Sequence, residues 1–208
     1  MELKKKHRIA VAWAQDANTI GAIHKAVVRG FAEALLIGKP AEILNSCRIA
    51  GLDDKLFTII PSDNDIEASG KAVMLAKSGE ADIVMKGLVG TDVFLRAIMD
   101  KESGLMLPDA VLSYVGAMEI PAYHKLLFLT DTAVIPFPDL DQKIGMTRYA
   151  IEMAGKFGIE KPKIALIGAS EKMSRHFSNN VDYAIMCKMA DRGQIKNCII
   201  DGPIDLFL

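Results

Sequence analysis

Cysteine, histidine and aromatic residues are scarce in this chain, as are long apolar runs and an excess of charge of either sign. There are only three cysteines, Cys47, Cys187 and Cys198, in 208 residues. An odd, widely spaced set with no CxxC excludes a disulfide framework and fits free thiols in a reducing cytoplasm. The four histidines never pair at metal-ligand spacing, so no metal site is expected. Basic and acidic residues number 25 and 26 and are interspersed. That balance gives no nucleic-acid stripe and no polybasic membrane patch. No apolar run approaches the roughly 20 residues that span a bilayer. The basic run KKKHR (4–8) leads into an apolar stretch that ends in the polar QDAN, which argues against a signal peptide. Neither GxxxxGK[ST] nor GxGxxG occurs, and there is no GxSxG or HExxH.

Half of the residues are hydrophobic, enough for a sizeable core in one large domain or two small ones. Short β-branched runs read as buried parallel strands at 8–14, 56–61, 81–87, 125–131, 163–169 and 197–203. Stretches of helical period separate them at 18–34, 65–79, 91–101, 142–158 and 179–193, with a shorter helix at 42–52. Strands alternating with helices predict an α/β fold with a mainly parallel sheet. Gly79, Gly158 and Gly193 stand where C-terminal helix caps belong. Met186 and Met189 fall at helical spacing and read as core filling. The segment PFPDLDQ (136–142) reads as a boundary, giving a first α/β domain over 1–138 and a second over 139–208. The chain ends in an apolar tail, DGPIDLFL, directly off a predicted strand. The second domain then has two clear strands, which suggests that it is incomplete.

Ligands of open α/β sheets bind at the carboxyl ends of the strands. After the strand at 81–87 come Lys86, Gly87, Gly90, Thr91 and Arg96 around one strand-to-helix turn. The glycines permit close backbone approach, Thr91 reads as an N-cap, and the helix start and two cations favour an anion, phosphate above all. A plain connecting turn with solvated charges accounts for the same residues. Asp131, at the end of the strand over 125–131, reads as a base, a positioning group or an N-cap. His124, just upstream of that strand, is a candidate for the same cleft, against the commoner reading of a structural histidine, and Ser170, after the strand over 163–169, stands in what is by itself an ordinary turn sequence. No nucleophile–base–orienter set can be assembled from these residues.

Four stretches carry a resemblance: VAWAQD (11–16), MKGLVGTDVFLRAIMDKESGL (85–105), YHKLLFLTDTAVIPFPDLDQK (123–143) and KMADRGQIKNCIIDGP (188–203). In that order they resemble the phosphate acetyl/butyryltransferases, the phosphate butyryltransferase branch in particular. The resemblance implies a two-domain fold similar to the isocitrate and isopropylmalate dehydrogenases, with its C-terminal third expected to be lacking from these residues. It implies acyl-CoA plus phosphate giving acyl phosphate plus CoA, with coenzyme A as substrate, no tightly bound cofactor and no metal. It also implies a cytoplasmic homodimer or higher homo-oligomer. Thr91 and Arg96 match the family's T-x-x-x-x-R element, with Lys86, Gly87 and Gly90 framing a phosphate pocket. Asp131, His124 and Ser170 would line the cleft. Gly90 departs from the Ser, His or Asn that relatives often carry. The family's general base is expected beyond residue 208, so no catalytic residue is named, and crippled or lost turnover is the expectation for these residues alone. The alternative is a non-catalytic protein that binds CoA or acyl phosphate. An oxidoreductase on the same fold lacks its dinucleotide fingerprint.

Overall fold

The computed structural model describes residues 6–205. The start of the basic run at residue 4 and the last three residues of the apolar tail lie outside that range. Two compact units are present, one running to Pro108 and the other from Asp109.

The first unit is built on β1 (His7–Ala12), β2 (Ala32–Gly38), β3 (Phe57–Pro61) and β4 (Ile83–Lys86). All four strands are parallel, in the order β3-β2-β1-β4. Strands covered on both faces read as nearly continuous apolar runs, and the central strand, IAVA, does so. Successive residues point to opposite faces. Val11, Ala34 and Leu36 therefore pack with Ile20, Ile23, Ile43 and Cys47 of α1 (Ala17–Val28) and α2 (Pro40–Ile49). Ala10, Ala12 and Ile37 pack with Ala68 and Ala72 of α3 (Asp65–Lys77) and Phe94 of α4 (Thr91–Met99). Helices thus cover both faces of one parallel sheet. The chain moves from β1 outward to β2 and β3, then returns to the other side of β1 as β4. The switch point lies between β1 and β4.

In the second unit β5 (Gly116–Met118) pairs antiparallel with β6 (Leu127–Leu129), and β7 (Lys163–Ile167) pairs parallel with β8 (Ile199–Ile204). Helices α5 (Leu140–Lys156) and α6 (Ser178–Asp191) enclose a small core of Ile144, Leu166, Met186 and Ile195. A capping box fixes the start of α5. Asp139 accepts from Gln142 N, and Gln142 Oε1 accepts from Asp139 N.

Several expectations need correction. The stretch 18–34 is not one helix: α1 ends at Val28, Gly30 turns at φ 81°, and β2 follows. Alanine and leucine in AEALLIG suit a helix, but burial between β1 and β3 makes a strand of it. The first strand stops at Ala12 because Trp13 adopts a left-handed φ of 57°. The run at 125–131 is a three-residue antiparallel strand, paired with a β5 that the sequence did not suggest. The compact units divide at Pro108/Asp109 and not at 138/139. Residues 109–138 associate with α5, where Tyr149 Oη accepts from Val111 N and Phe157 meets Phe128 edge-on. Gly79, Gly158 and Gly193 do close helices, with φ of 79°, 81° and 74°, and Met186 is fully buried.

Candidate functional site

The switch point brings the carboxyl ends of β1 and β4 side by side, with Ala12 level with Lys86. Ladder bonding continues past the strands. Gly87 N donates to Ala12 O at 2.9 Å and Leu88 N to Trp13 O at 3.0 Å. A Cβ on Gly87 would lie 2.7 Å from both carbonyl oxygens, so only glycine lets the turn approach β1 this closely. Lys86 is turned back on its own loop: Nζ donates to Val89 O at 2.7 Å and, more weakly, to Gly87 O at 3.4 Å. The ammonium therefore staples the loop that leads into α4.

Gly90, not Thr91, is the N-cap of α4, and no side chain caps the helix. Thr91 is its first helical residue. Gly90 O accepts from Phe94 N, so the N–H groups of Thr91, Asp92 and Val93 precede the first helical bond. Free N–H groups and the helix dipole make this end attractive to an anion. Arg96 reaches back toward it. Its guanidinium stands 4.0 Å from Asp92 Oδ2, and the two side chains are 82% and 74% exposed. A pair this open contributes little to stability and leaves the guanidinium free to meet a ligand.

The ends of β1 and β2 supply residues that the sequence reading passed over. Gln15 Oε1 accepts from Lys39 N and Gln15 Nε2 donates to Glu42. Lys39 Nζ lies 5.8 Å from the Trp13 ring. The VAWAQD stretch held the signal: a polar glutamine and a tryptophan directly after a buried strand.

Asp131, His124 and Ser170 belong to the second unit and share no hydrogen bond with one another among the described residues. Asp131 accepts from Tyr114 N at 2.9 Å and from Ala133 N and Val134 N at 2.7 Å each. Partial burial raises its pKa, but these N–H groups and the Ser113 hydroxyl outweigh it, and the carboxyl is held below its ordinary value. Such a carboxylate orders its loop and is a poor base. His124 is exposed beside the Tyr123 ring. Ser170 Oγ accepts from Lys172 N at 3.2 Å.

The sheet order and the glycine-lined turn at its switch point define an open, doubly wound α/β protein. The branched-chain phosphotransacylase of Enterococcus faecalis V583 superposes with a TM-score of 0.80 at 23% identity, covering 96% of this chain and 69% of that one. A 4-hydroxythreonine-4-phosphate dehydrogenase from Burkholderia phymatum superposes over 97% of this chain and 74% of its own, with a TM-score of 0.51 and 15% identity. In sequence the chain is 40% identical to the phosphate butyryltransferase of Clostridium acetobutylicum, over 99% of this chain and 69% of that enzyme. The model of the family described as "Phosphate acetyl/butaryl transferase" matches residues 62–206. The chain belongs to that family and is an acyltransferase of its kind.

Proposed function

We propose that the protein moves a short acyl group between coenzyme A and orthophosphate, in the cytoplasm, with phosphate seated at the start of α4. A phosphate oxygen attacks the thioester carbonyl, the C–S bond breaks, and the CoA thiolate leaves and takes up a proton. In reverse, the thiolate attacks the acyl phosphate carbonyl and orthophosphate departs. The observation that carries this reading is the placement of the KG-turn-TD-x-x-x-R element at the β1/β4 switch point of a chain that belongs to the family. The geometry supports the following roles. Arg96 meets the phosphate charge, which repels a thiolate until it is neutralised. The first N–H groups of α4 and the Thr91 hydroxyl supply donors. Lys86 and Gly87 hold the turn in place. The group that takes the thiol proton is assigned to the part of the relatives that these 208 residues do not cover, and the active form is proposed to be a homo-oligomer.

The test is thiol release. The chain is mixed with acetyl-, butyryl- and isobutyryl-CoA, with and without phosphate, and free CoA is followed with a thiol reagent. Phosphate-dependent release is expected for at least one of the three. Its absence from a chain extended to the full length of the relatives contradicts the proposal.

A further inference from the structure

The candidate site already contains an anion of its own. Asp92 is the second residue of α4, and its Oδ1 lies 2.7 Å from where a Gly90 Cβ would stand. The carboxylate therefore sits over the residue that caps the helix, and its other oxygen faces Arg96 at 4.0 Å. The Lys86 ammonium keeps its charge but spends its donors on its own loop, at Val89 O and Gly87 O. A ligand at this turn meets one guanidinium, the first N–H groups of a helix, and one carboxylate. For a site meant only to attract negative charge, that carboxylate is counterproductive. A like charge about 4 Å away costs on the order of 1 kcal/mol even at water's dielectric constant.

An ionised carboxylate only accepts hydrogen bonds. Sulfate also only accepts, so at this turn it would set acceptor against acceptor and charge against charge. Hydrogen phosphate has the same shape and the same charge of −2, but it keeps one P–OH. Donated to Asp92, that proton converts the repulsion into a charge-assisted hydrogen bond. We infer that Asp92 is a specificity residue that makes this turn select a protonated oxyanion, hydrogen phosphate over sulfate. The inference rests on the reading above, that phosphate binds at the start of α4. The 4.0 Å spacing and the exposure of both side chains leave Asp92 and Arg96 free to separate around an oxyanion, each keeping a partner.

The experiment is calorimetric titration of the 208-residue chain with sodium phosphate and with sodium sulfate at pH 8. Wild type is expected to bind phosphate at least about tenfold more tightly than sulfate, the worth of one hydrogen bond to a charged group. Asp92→Asn, which can donate to sulfate, should bring the two ions to within about threefold. Asp92→Glu, which keeps the acceptor, should retain the preference. Equal binding of the two ions by wild type, or a phosphate preference that survives Asp92→Asn, overturns the role of Asp92. Arg96→Ala separates the two levels of the argument. It should weaken both ions, and phosphate binding indifferent to it overturns the site itself.

Discussion

At residue 87 there is no room for a side chain. A Cβ would press on two carbonyl oxygens at the end of β1, both of them backbone and unable to yield. Gly87→Ala should cost about 1–3 kcal/mol of stability and displace the Lys86 turn, read by urea unfolding together with phosphate kinetics. Asp131 is a different case, because its work lies within its own loop. Asp131→Asn puts an amide against N–H donors and should cost about 1–3 kcal/mol. Because the folded pKa of Asp131 is depressed below the ordinary 3.8, its contribution is present above that range and fades as pH falls through the depressed value. The stability gap between wild type and Asp131→Asn should therefore narrow on acidification, as unfolding midpoints measured from pH 6 to pH 3 would show. Much of this was legible in the sequence. Glycine after a strand end announces close approach, and an arginine five residues past a threonine announces a cation near a helix start. The posture of Lys86, stapled to its own loop, was not, because nothing in a one-dimensional pattern says which way a lysine turns. Nor was the tying of Asp131 to Tyr114, which lies 17 residues away and depends on a hairpin too short to leave an alternating pattern.

Elements add their own tests. Asn64 caps α3, and Glu67 reaches back to the Asp63 N–H and the Ser62 hydroxyl while pairing with Lys71. The Lys71 bond leads in drawing the Glu67 pKa from 4.5 to about 2. This depressed carboxyl supports the start of α3 above pH 4.5 and loses that support as the pH drops toward 2. Glu67→Gln should remove that part of the acid dependence, as seen in helix content followed by circular dichroism. In the second unit, Lys143 of α5 is only 8% exposed and pairs with Asp182 of α6 beside the Tyr183 ring. Lys143→Met strands the carboxylate and should cost about 3 kcal/mol. Lys143→Met with Asp182→Leu should recover most of the loss, checked by a double-mutant cycle in urea. Helices that close on a glycine were readable, α5 and α6 among them, and α5 also starts on a capping box. β2 was not, because its alanines and leucines suit either structure and only its place between two other strands decides the outcome.

At the scale of the molecule, one sheet does the positioning. Its order, β3-β2-β1-β4, puts the chain reversal beside the β4 turn, and that reversal is where open α/β sheets hold their ligands. Sequence periodicity announced alternating strands and helices and hence the α/β class. It did not announce the strand order, which arises from pairings between segments as distant as β1 and β4. The division between units was misplaced for a related reason. A proline-rich segment marks where a helix must stop, not where contacts thin out. Among the described residues no helix is long and apolar enough to cross a membrane. The chain spans about two thirds of the length of the relatives it matches, so the assay includes an extended form.

The most direct measurement is the phosphate dependence of CoA release from butyryl-CoA, compared for the wild-type and Arg96→Ala proteins in the form that turns over. The predicted result is phosphate-dependent release whose kcat/KM for phosphate falls about 100-fold in Arg96→Ala, the scale of losing one charge-stabilising donor, while the unfolding midpoint stays unchanged. Release that ignores phosphate, or phosphate dependence that Arg96→Ala leaves intact, would contradict the placement of phosphate use at the start of α4.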